Sequence, residues 1–243
     1  MESQVFKVSP NYKRISLFVL SSIAAFCSIV YELLLAQCVS VALGNTVMRY
    51  SFTIGLYLFS LGLGALFVAL YPSIRYLNVL LAVEIILSAI GTFLPLMVFG
   101  GDFFIRFFVP NPLVSINITW FYLHSIVLCI GVLSGFELPL FLKIISKNNS
   151  KNDIFTLIGL DYIFTFVGSI TFPFLIYSYL GIVQASCAIS FLNLCVACFL
   201  IKIYKPQLKG YFYFILLLFI INILIFVNSR DVTNYLRYMF ISN

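Results

Sequence analysis

Charged residues are scarce in this sequence. Only 9% of its 243 residues are charged and 63% are hydrophobic, whereas a soluble domain has about 25% and about 45–50% respectively. A soluble core could not bury so many apolar side chains, so the composition excludes an ordinary soluble domain. The net charge of +6 comes from 14 basic and 8 acidic residues. Most of these basic residues lie between apolar runs, so the excess indicates membrane orientation and not nucleic-acid binding.

Residues that bind metals or carry redox chemistry are also few. The one histidine, His124, lies in an apolar run, where a packed bundle histidine is favoured over a proton relay. All six cysteines lie in apolar runs as well. Only Cys195 and Cys198 are close in sequence, and without polar ligands nearby they are interpreted as small packing residues and not as a metal or redox pair. The sequence predicts no metal and no cofactor.

Long apolar runs are what the sequence does contain. Each is about twenty residues or longer, which is the length that crosses about 30 Å of hydrocarbon. Unbroken runs indicate helices, because barrel strands would alternate apolar and polar residues. The prediction is a single all-α membrane domain over residues 1–243, a polytopic transmembrane helix bundle. Its seven predicted spans are 15–43, 51–70, 79–99, 116–142, 154–179, 182–201 and 211–227.

The first run is too long for the apolar core of a secretory signal and lacks a small-residue cleavage pattern, so it is predicted to remain as a span. Lysine and arginine are more frequent on the N-terminal side of the predicted bundle, which places the N-terminus inside and the C-terminus outside. Two segments are predicted to lie along the interface, the loop 100–115 and the tail 228–243. Apolar residues of the tail recur at helical spacing.

Acidic residues inside the spans are the main candidates for function: Glu32, Glu84, Glu137 and Asp161. An ionised carboxylate near the centre of a membrane helix costs about 2.5–3.5 kcal/mol or more, so such residues normally face a partner, a cavity or a proton. Three of them fall near the inner ends of their spans, and Glu32 falls in the outer half of the first. This layout suits a cation-binding site, which is predicted to include Tyr31 and Tyr162, the tyrosines next to Glu32 and Asp161.

A structural role for these acids is the alternative. They could pair with Lys143 or Arg75, or accept hydrogen bonds from Tyr31 and Tyr162 within a packed bundle.

Helix-disturbing residues lie near two of the acids. Pro139 and Pro173 each remove a backbone donor within a span, which can frame a site or serve packing only. Gly62-x-Gly64 and Gly131-x-x-x-Gly135 are predicted to allow close helix approach.

Several of these motifs occur together in a known family. The stretch Ser28-Ile-Val-Tyr-Glu-Leu-Leu-Leu-Ala-Gln37, then Ala42-Leu-Gly-Asn-Thr46 and Leu61-Gly-Leu-Gly64, resembles the start of the membrane domain of membrane-bound spermidine synthases, which are polyamine aminopropyltransferases. Gly135-Phe-Glu-Leu-Pro-Leu140 resembles a Gly/Glu/Pro segment of that family. Gly159-Leu-Asp-Tyr162, with Gly168, Phe172-Pro173, Leu180-Gly181 and Asn193, resembles its Asp-Tyr span and the following one.

The resemblance implies a soluble catalytic domain after the spans, and this sequence ends at Asn243, soon after the last predicted span. We therefore expect no aminopropyltransferase activity from this chain alone. The leading interpretation is a transporter or channel-like domain for organic cations such as polyamines, in the bilayer of a bacterial inner membrane. A membrane anchor that docks a separate soluble aminopropyltransferase is the alternative, and an inactive remnant is a third. No nucleic-acid partner is expected.

Overall fold

The computed structural model describes residues 10–44, 47–71, 75–146, 151–204 and 211–241, and these ranges are helical without strands, as predicted. Two π-helical turns, Leu96–Gly100 and Phe172–Ile176, continue α3 into α4 and α6 into α7. The α-helices are α1 Pro10–Leu43, α2 Val47–Leu70, α3 Tyr76–Pro95, α4 Gly101–Phe108, α5 Pro112–Ser146, α6 Lys151–Thr171, α7 Tyr177–Tyr204, α8 Tyr211–Val227 and α9 Ser229–Ile241.

Five helical segments within the described ranges are long and apolar enough to cross a membrane: Tyr12–Leu43, Val47–Leu70, Tyr76–Phe108, Pro112–Ser146 and Asn152–Tyr204. A sixth results if α8 and α9, which are bent by 71° relative to each other, count as one broken span. The crossing number of seven and the inside position of the N-terminus stay predictions.

The outer surface of the bundle is apolar. Large side chains on three helices point away from the other helices, with exposed fractions of 60% for Phe59, 64% for Phe166 and 55% for Leu224. Soluble proteins rarely expose large apolar patches. Hydrocarbon is the environment that fits this surface, which agrees with the predicted membrane helix bundle.

Helix α1 lies at the centre of the bundle and contacts α2, α5, α6 and α7. Its side chains Leu34 and Leu35 are fully buried. It begins at Pro10, five residues before the predicted span, and ends at the predicted position. Gly44 follows in a left-handed conformation with φ of 93°, which glycine adopts readily after a helix end.

Helices α1 and α6 run parallel. Arg14 pairs with Asp153 near the beginning of both helices, and farther along the Gln37 side-chain amide donates to the Tyr177 hydroxyl at 3.2 Å. The two pairs are separated by nearly the same number of residues along α1 and along the segment from α6 to the start of α7. Equal spacing in the same direction shows that the two segments are parallel and in register.

The chain changes direction at Gly181, as the sequence predicted from the break between the fifth and sixth spans. Gly181 has φ of 67° and ψ of −171°, a conformation that is essentially restricted to glycine. After it, α7 runs antiparallel to α3: Ser186 donates to the Gly91 carbonyl oxygen, while the later Ser190 lies 3.0 Å from the earlier Ser88.

Glycines join α2 and α5 closely, as predicted. A Cβ atom at Gly64 would lie 2.2 Å from the Val132 carbonyl oxygen, and one at Gly135 would lie 2.3 Å from the Leu61 carbonyl oxygen. Gly131 packs against Ser60 in the same way. Gly62 has nothing within 4 Å of its Cβ position, so the prediction of close approach is wrong for this residue.

The end of the predicted third span is also wrong. Gly100-Gly101 does not break the chain, which continues as a helix to Phe108. A ring from α5 explains the glycine: a Cβ at Gly101 would lie 2.3 Å from Tyr122, whose hydroxyl donates to the Met97 carbonyl oxygen at 2.9 Å. Gly101 therefore serves helix packing, and neither glycine reverses the chain. The predicted tail forms helix α9, and its position at the interface stays a prediction.

Candidate cation-binding cavity

Four helices line a half-open cavity of about 430 Å³ that is bordered by three of the acidic residues singled out in the sequence. Helices α1, α2, α5 and α6 line it. The acids are Glu32 on α1, Glu137 on α5 and Asp161 on α6. The other lining residues are Ser21, Ala24, Ala25, Ser28, Ile29, Leu58, Leu61, Gly62, Ala65, Ser134, Gly135, Leu138, Pro139, Phe141, Tyr162 and Thr165.

One stripe of α1 faces the cavity. Ser21, Ala25, Ser28 and Glu32 are spaced so that they fall on the same side of a helix. The first three have short side chains, which leave the open volume between the helices. The longer Glu32 is only 5% exposed, so its carboxyl group is held at the cavity and away from the outer surface.

Asp161 lies some distance along the bundle from Glu32, and Glu137 is close enough to Asp161 to interact with it electrostatically. Asp161 precedes Gly168 by seven residues, and Gly168 packs against Ile29 of α1. Because α1 and α6 are parallel, Asp161 is level with the part of α1 that precedes Ile29 by about seven residues. At 1.5 Å per residue, this level is about 15 Å from Glu32 along the helix axis.

Backbone at the cavity contributes a further acceptor. Pro139 lies inside α5 and has no N–H, so the Gly135 carbonyl, four residues earlier, loses its usual donor. Both residues line the cavity. The helix continues through the proline, so Pro139 does not break α5.

Basic side chains near the bundle ends have other partners. Arg14 pairs with Asp153, and the Lys143 ammonium group donates to the Val68 carbonyl oxygen at 2.5 Å and lies 5.1 Å from the centre of the Tyr76 ring. The described residues that line the cavity include no lysine or arginine. Pairing of the cavity acids with Lys143 is therefore not what the structure contains.

A hydroxyl cluster between α1, α2 and α5 was missed in the sequence. Tyr57 is fully buried, and its hydroxyl lies 3.0 Å from both the Ser28 carbonyl oxygen and the Ser134 hydroxyl. Ser28 and Ser134 line the cavity. The signal available was the helical spacing of Ser21 and Ser28 with Glu32, whereas nothing in the sequence pairs Tyr57 with Ser134.

The remaining predicted site residues lie in different places. Tyr162 lines the cavity and is 71% exposed. Tyr31 lies outside it, fully buried, with its hydroxyl donating to the Leu87 carbonyl oxygen at 3.1 Å. Glu84 is also outside the cavity and has 0% exposure. The structure thus brings together Glu32, Glu137, Asp161 and Tyr162, and separates Tyr31 and Glu84 from them.

Comparison with known proteins gives one kind of relative. The chain is 31% identical over 185 residues to a polyamine aminopropyltransferase of Leptospira interrogans serogroup Icterohaemorrhagiae serovar copenhageni, covering 75% of this chain and 34% of that protein. It is 29% identical over 198 residues to a polyamine aminopropyltransferase of Oceanobacillus iheyensis, covering 79% and 36%. It is 25% identical over 188 residues to polyamine aminopropyltransferase 2 of Ralstonia nicotianae, covering 76% and 35%.

No protein-family model matches the chain. No solved structure matches it either. The chain spans about a third of the length of the curated relatives that it matches. The resemblance inferred from the sequence motifs is confirmed: this chain is related to the polyamine aminopropyltransferases through a region that makes up about a third of their length.

Proposed function

We propose that this chain is a membrane domain that binds organic cations, with polyamines as the substrate class, and passes them into or across a bacterial inner membrane. The single observation that carries the proposal is the cavity of about 430 Å³ that three acidic residues line without a lysine or arginine among its described residues. The acids Glu32, Glu137 and Asp161 supply the negative charge, and Tyr162 borders the same space.

Charge supports a cationic ligand. Several carboxylates in a low-dielectric site repel one another and lose hydration, and a bound cation offsets both costs. A molecule with several ammonium groups along an apolar chain matches acids at different levels of the cavity, with Asp161 and Glu32 about 15 Å apart along the helix axis. The apolar wall between them, with Ile29 and Leu61, suits the methylene groups of such a molecule.

Size and polarity also support a small ligand. Sites for small molecules occupy about 300–1,000 Å³ and combine apolar walls with a few placed polar groups. The hydroxyl groups of Ser28 and Ser134 and the Gly135 carbonyl supply acceptors for N–H groups, in addition to the carboxylates.

A second candidate function is docking of a soluble aminopropyltransferase. The observation that favours it is that the relatives named for this activity extend well beyond the matched region. In this case the acids would stabilise the bundle and no cation would need to enter it. The absence of aminopropyltransferase activity from this chain stays a prediction.

Uptake of labelled putrescine and spermidine into liposomes that contain the purified chain tests the proposal. Asp161→Asn, Asp231→Asn and empty liposomes are run in parallel. Asp231 is exposed on α9, so its change alters charge without touching the cavity. Uptake that requires the protein, is lost in Asp161→Asn and persists in Asp231→Asn supports a cation pathway. No uptake above empty liposomes from folded protein contradicts transport, and capture of a purified soluble aminopropyltransferase would then support docking.

A further inference from the structure

Glu84 is a buried acid that the cavity does not explain. Its side chain on α3 has 0% exposure, and neither of its carboxyl oxygens has a hydrogen-bond partner among the described residues. Burying an isolated carboxylate is far more costly than burying a hydrogen-bonded polar group. A neutralising ligand is therefore needed at this position.

A second unpartnered side chain lies at the same level. Asn193 on α7 also has 0% exposure, and neither its amide nitrogen nor its amide oxygen has a hydrogen-bond partner in the part of the chain that the structure describes. Helices α3 and α7 are antiparallel, and Ser88 lies 3.0 Å from Ser190. Glu84 is one turn before Ser88 and Asn193 is nearly one turn after Ser190, so the register places the acid and the amide at one level of this interface.

The titratable groups around Glu84 belong to neighbouring helices. Cys27 and Tyr31 of α1 and Glu137 of α5 interact with it electrostatically, and Cys195 of α7 interacts with Cys27. Glu137 also lines the cation cavity. Glu84 is therefore electrostatically connected to the cavity through Glu137, although it does not line the cavity itself.

We propose that Glu84 is a proton-binding residue whose proton exchanges with a cation in the cavity. This inference rests on the proposed function. Glu84 is fully buried at the level of Asn193. No basic group is among the described residues that interact with it, so the proton is the ligand that removes its charge. A protonated carboxyl group has an O–H that it can donate, and the Asn193 amide oxygen at the same level of the interface is an acceptor without a partner among the described residues.

The exchange conserves charge. With the cavity empty, Glu137 is ionised and Glu84 carries the proton, so the pair has one negative charge. When an ammonium group binds at Glu137, repulsion between the two acids is offset and the proton of Glu84 is released to the medium. Two carboxylates and one cation again leave one negative charge. Linkage requires that protons in turn weaken cation binding.

Infrared difference spectroscopy of the full chain in detergent tests this directly, with putrescine as the probe. The expected result is a carboxylic-acid C=O band in the wild-type protein that is absent in Glu84→Gln and decreases when putrescine is added. Proton release on putrescine addition, followed with a pH indicator in weak buffer, should be smaller in Glu84→Gln than in the wild-type protein. Glu84→Asp keeps an acid at this position and should retain a shifted band, which preserves the test if the glutamine variant does not fold.

The outcomes separate the two proposals. The inference is overturned if putrescine binds without changing the Glu84 band and if Glu84→Gln releases as many protons as the wild-type protein. The proposed function then still stands. Wild-type protein that binds no putrescine overturns the proposed function, and the coupling with it. In that case a Glu84 band that changes with pH in folded protein still supports the proton site, whereas a band that is absent or constant removes it.

Discussion

Glu137 and Asp161 come from different helices, α5 and α6, and line the same cavity close enough to interact electrostatically. Neither belongs to the ion pairs that Arg14 and Arg106 form with Asp153 and Asp102. Two acids brought together without a basic partner among the described cavity residues are unfavourable for bundle stability when both are charged. Their placement is therefore easier to explain by a ligand than by packing.

Neutralising either acid should weaken cation binding without unfolding the protein. We expect Asp161→Asn and Glu137→Gln each to lower putrescine affinity at least about tenfold, which corresponds to about 1.4 kcal/mol, because each removes one charge at the cavity and keeps the side-chain size. Equilibrium dialysis with labelled putrescine measures the effect. Asp231→Asn is the control and should bind like the wild-type protein. Unchanged affinity in both cavity variants would remove these acids from the site, and loss of folding would assign them to structure.

Close packing of α2 against α5 should depend on Gly64. In Gly64→Ala the new Cβ would lie 2.2 Å from the Val132 carbonyl oxygen, so the helices must separate. We expect a loss of about 1–3 kcal/mol, as for other overpacked sites, seen as a lower Tm in detergent by circular dichroism. The matched control on the same helix is Gly55→Ala, whose Cβ meets nothing within 4 Å. A Tm for Gly64→Ala equal to that of Gly55→Ala would show that the helices adjust without cost.

Sequence periodicity predicted the helices well because each run had to be apolar over the thickness of a bilayer. The predicted α8 span, 211–227, matches the observed helix Tyr211–Val227, and Gly181 divides the long helical segment as expected. The boundary at Gly100-Gly101 failed for a tertiary reason. Gly101 accommodates Tyr122 and the helix continues, which no local pattern could distinguish from a turn.

The site was predictable in part. An acid in an apolar run is conspicuous, so Glu32, Glu137 and Asp161 could be found from the sequence. Which acids share one cavity depends on helix register and neighbours, and for that reason Glu84 could not be separated from the other three. Tyr57 was overlooked because a tyrosine in a membrane span is common, and only the fold brings its hydroxyl to Ser28 and Ser134.

The ion pair between α1 and α6 should be asymmetric in its effect on stability. The Asp153 side chain is 3% exposed, whereas Arg14 is 46% exposed. Arg14→Gln leaves a buried carboxylate without its partner, while Asp153→Asn leaves an arginine that water can solvate. We expect Arg14→Gln to be the more destabilising, by about 1–2 kcal/mol, the lower part of the range for leaving a buried polar group unsatisfied. Thermal melts of both single variants and the double variant measure the difference, and equal single-variant losses would contradict it.

The turn at Gly181 should tolerate no other residue without cost. Its φ of 67° with ψ of −171° is unfavourable for residues that carry a Cβ, and such strain costs about 1–3 kcal/mol. Nothing lies within 4 Å of its Cβ position, so any loss in Gly181→Ala is conformational and not steric.

Gly159→Ala is the matched control, because Gly159 has equally open surroundings and lies inside helix α6. We expect a lower Tm for Gly181→Ala and an unchanged or higher Tm for Gly159→Ala, since alanine favours a helix interior over glycine by about 1 kcal/mol. Equal melting temperatures for the two variants would mean that the chain reverses within α7 without a glycine at position 181, and that the turn is set by the packing of α7 against α3.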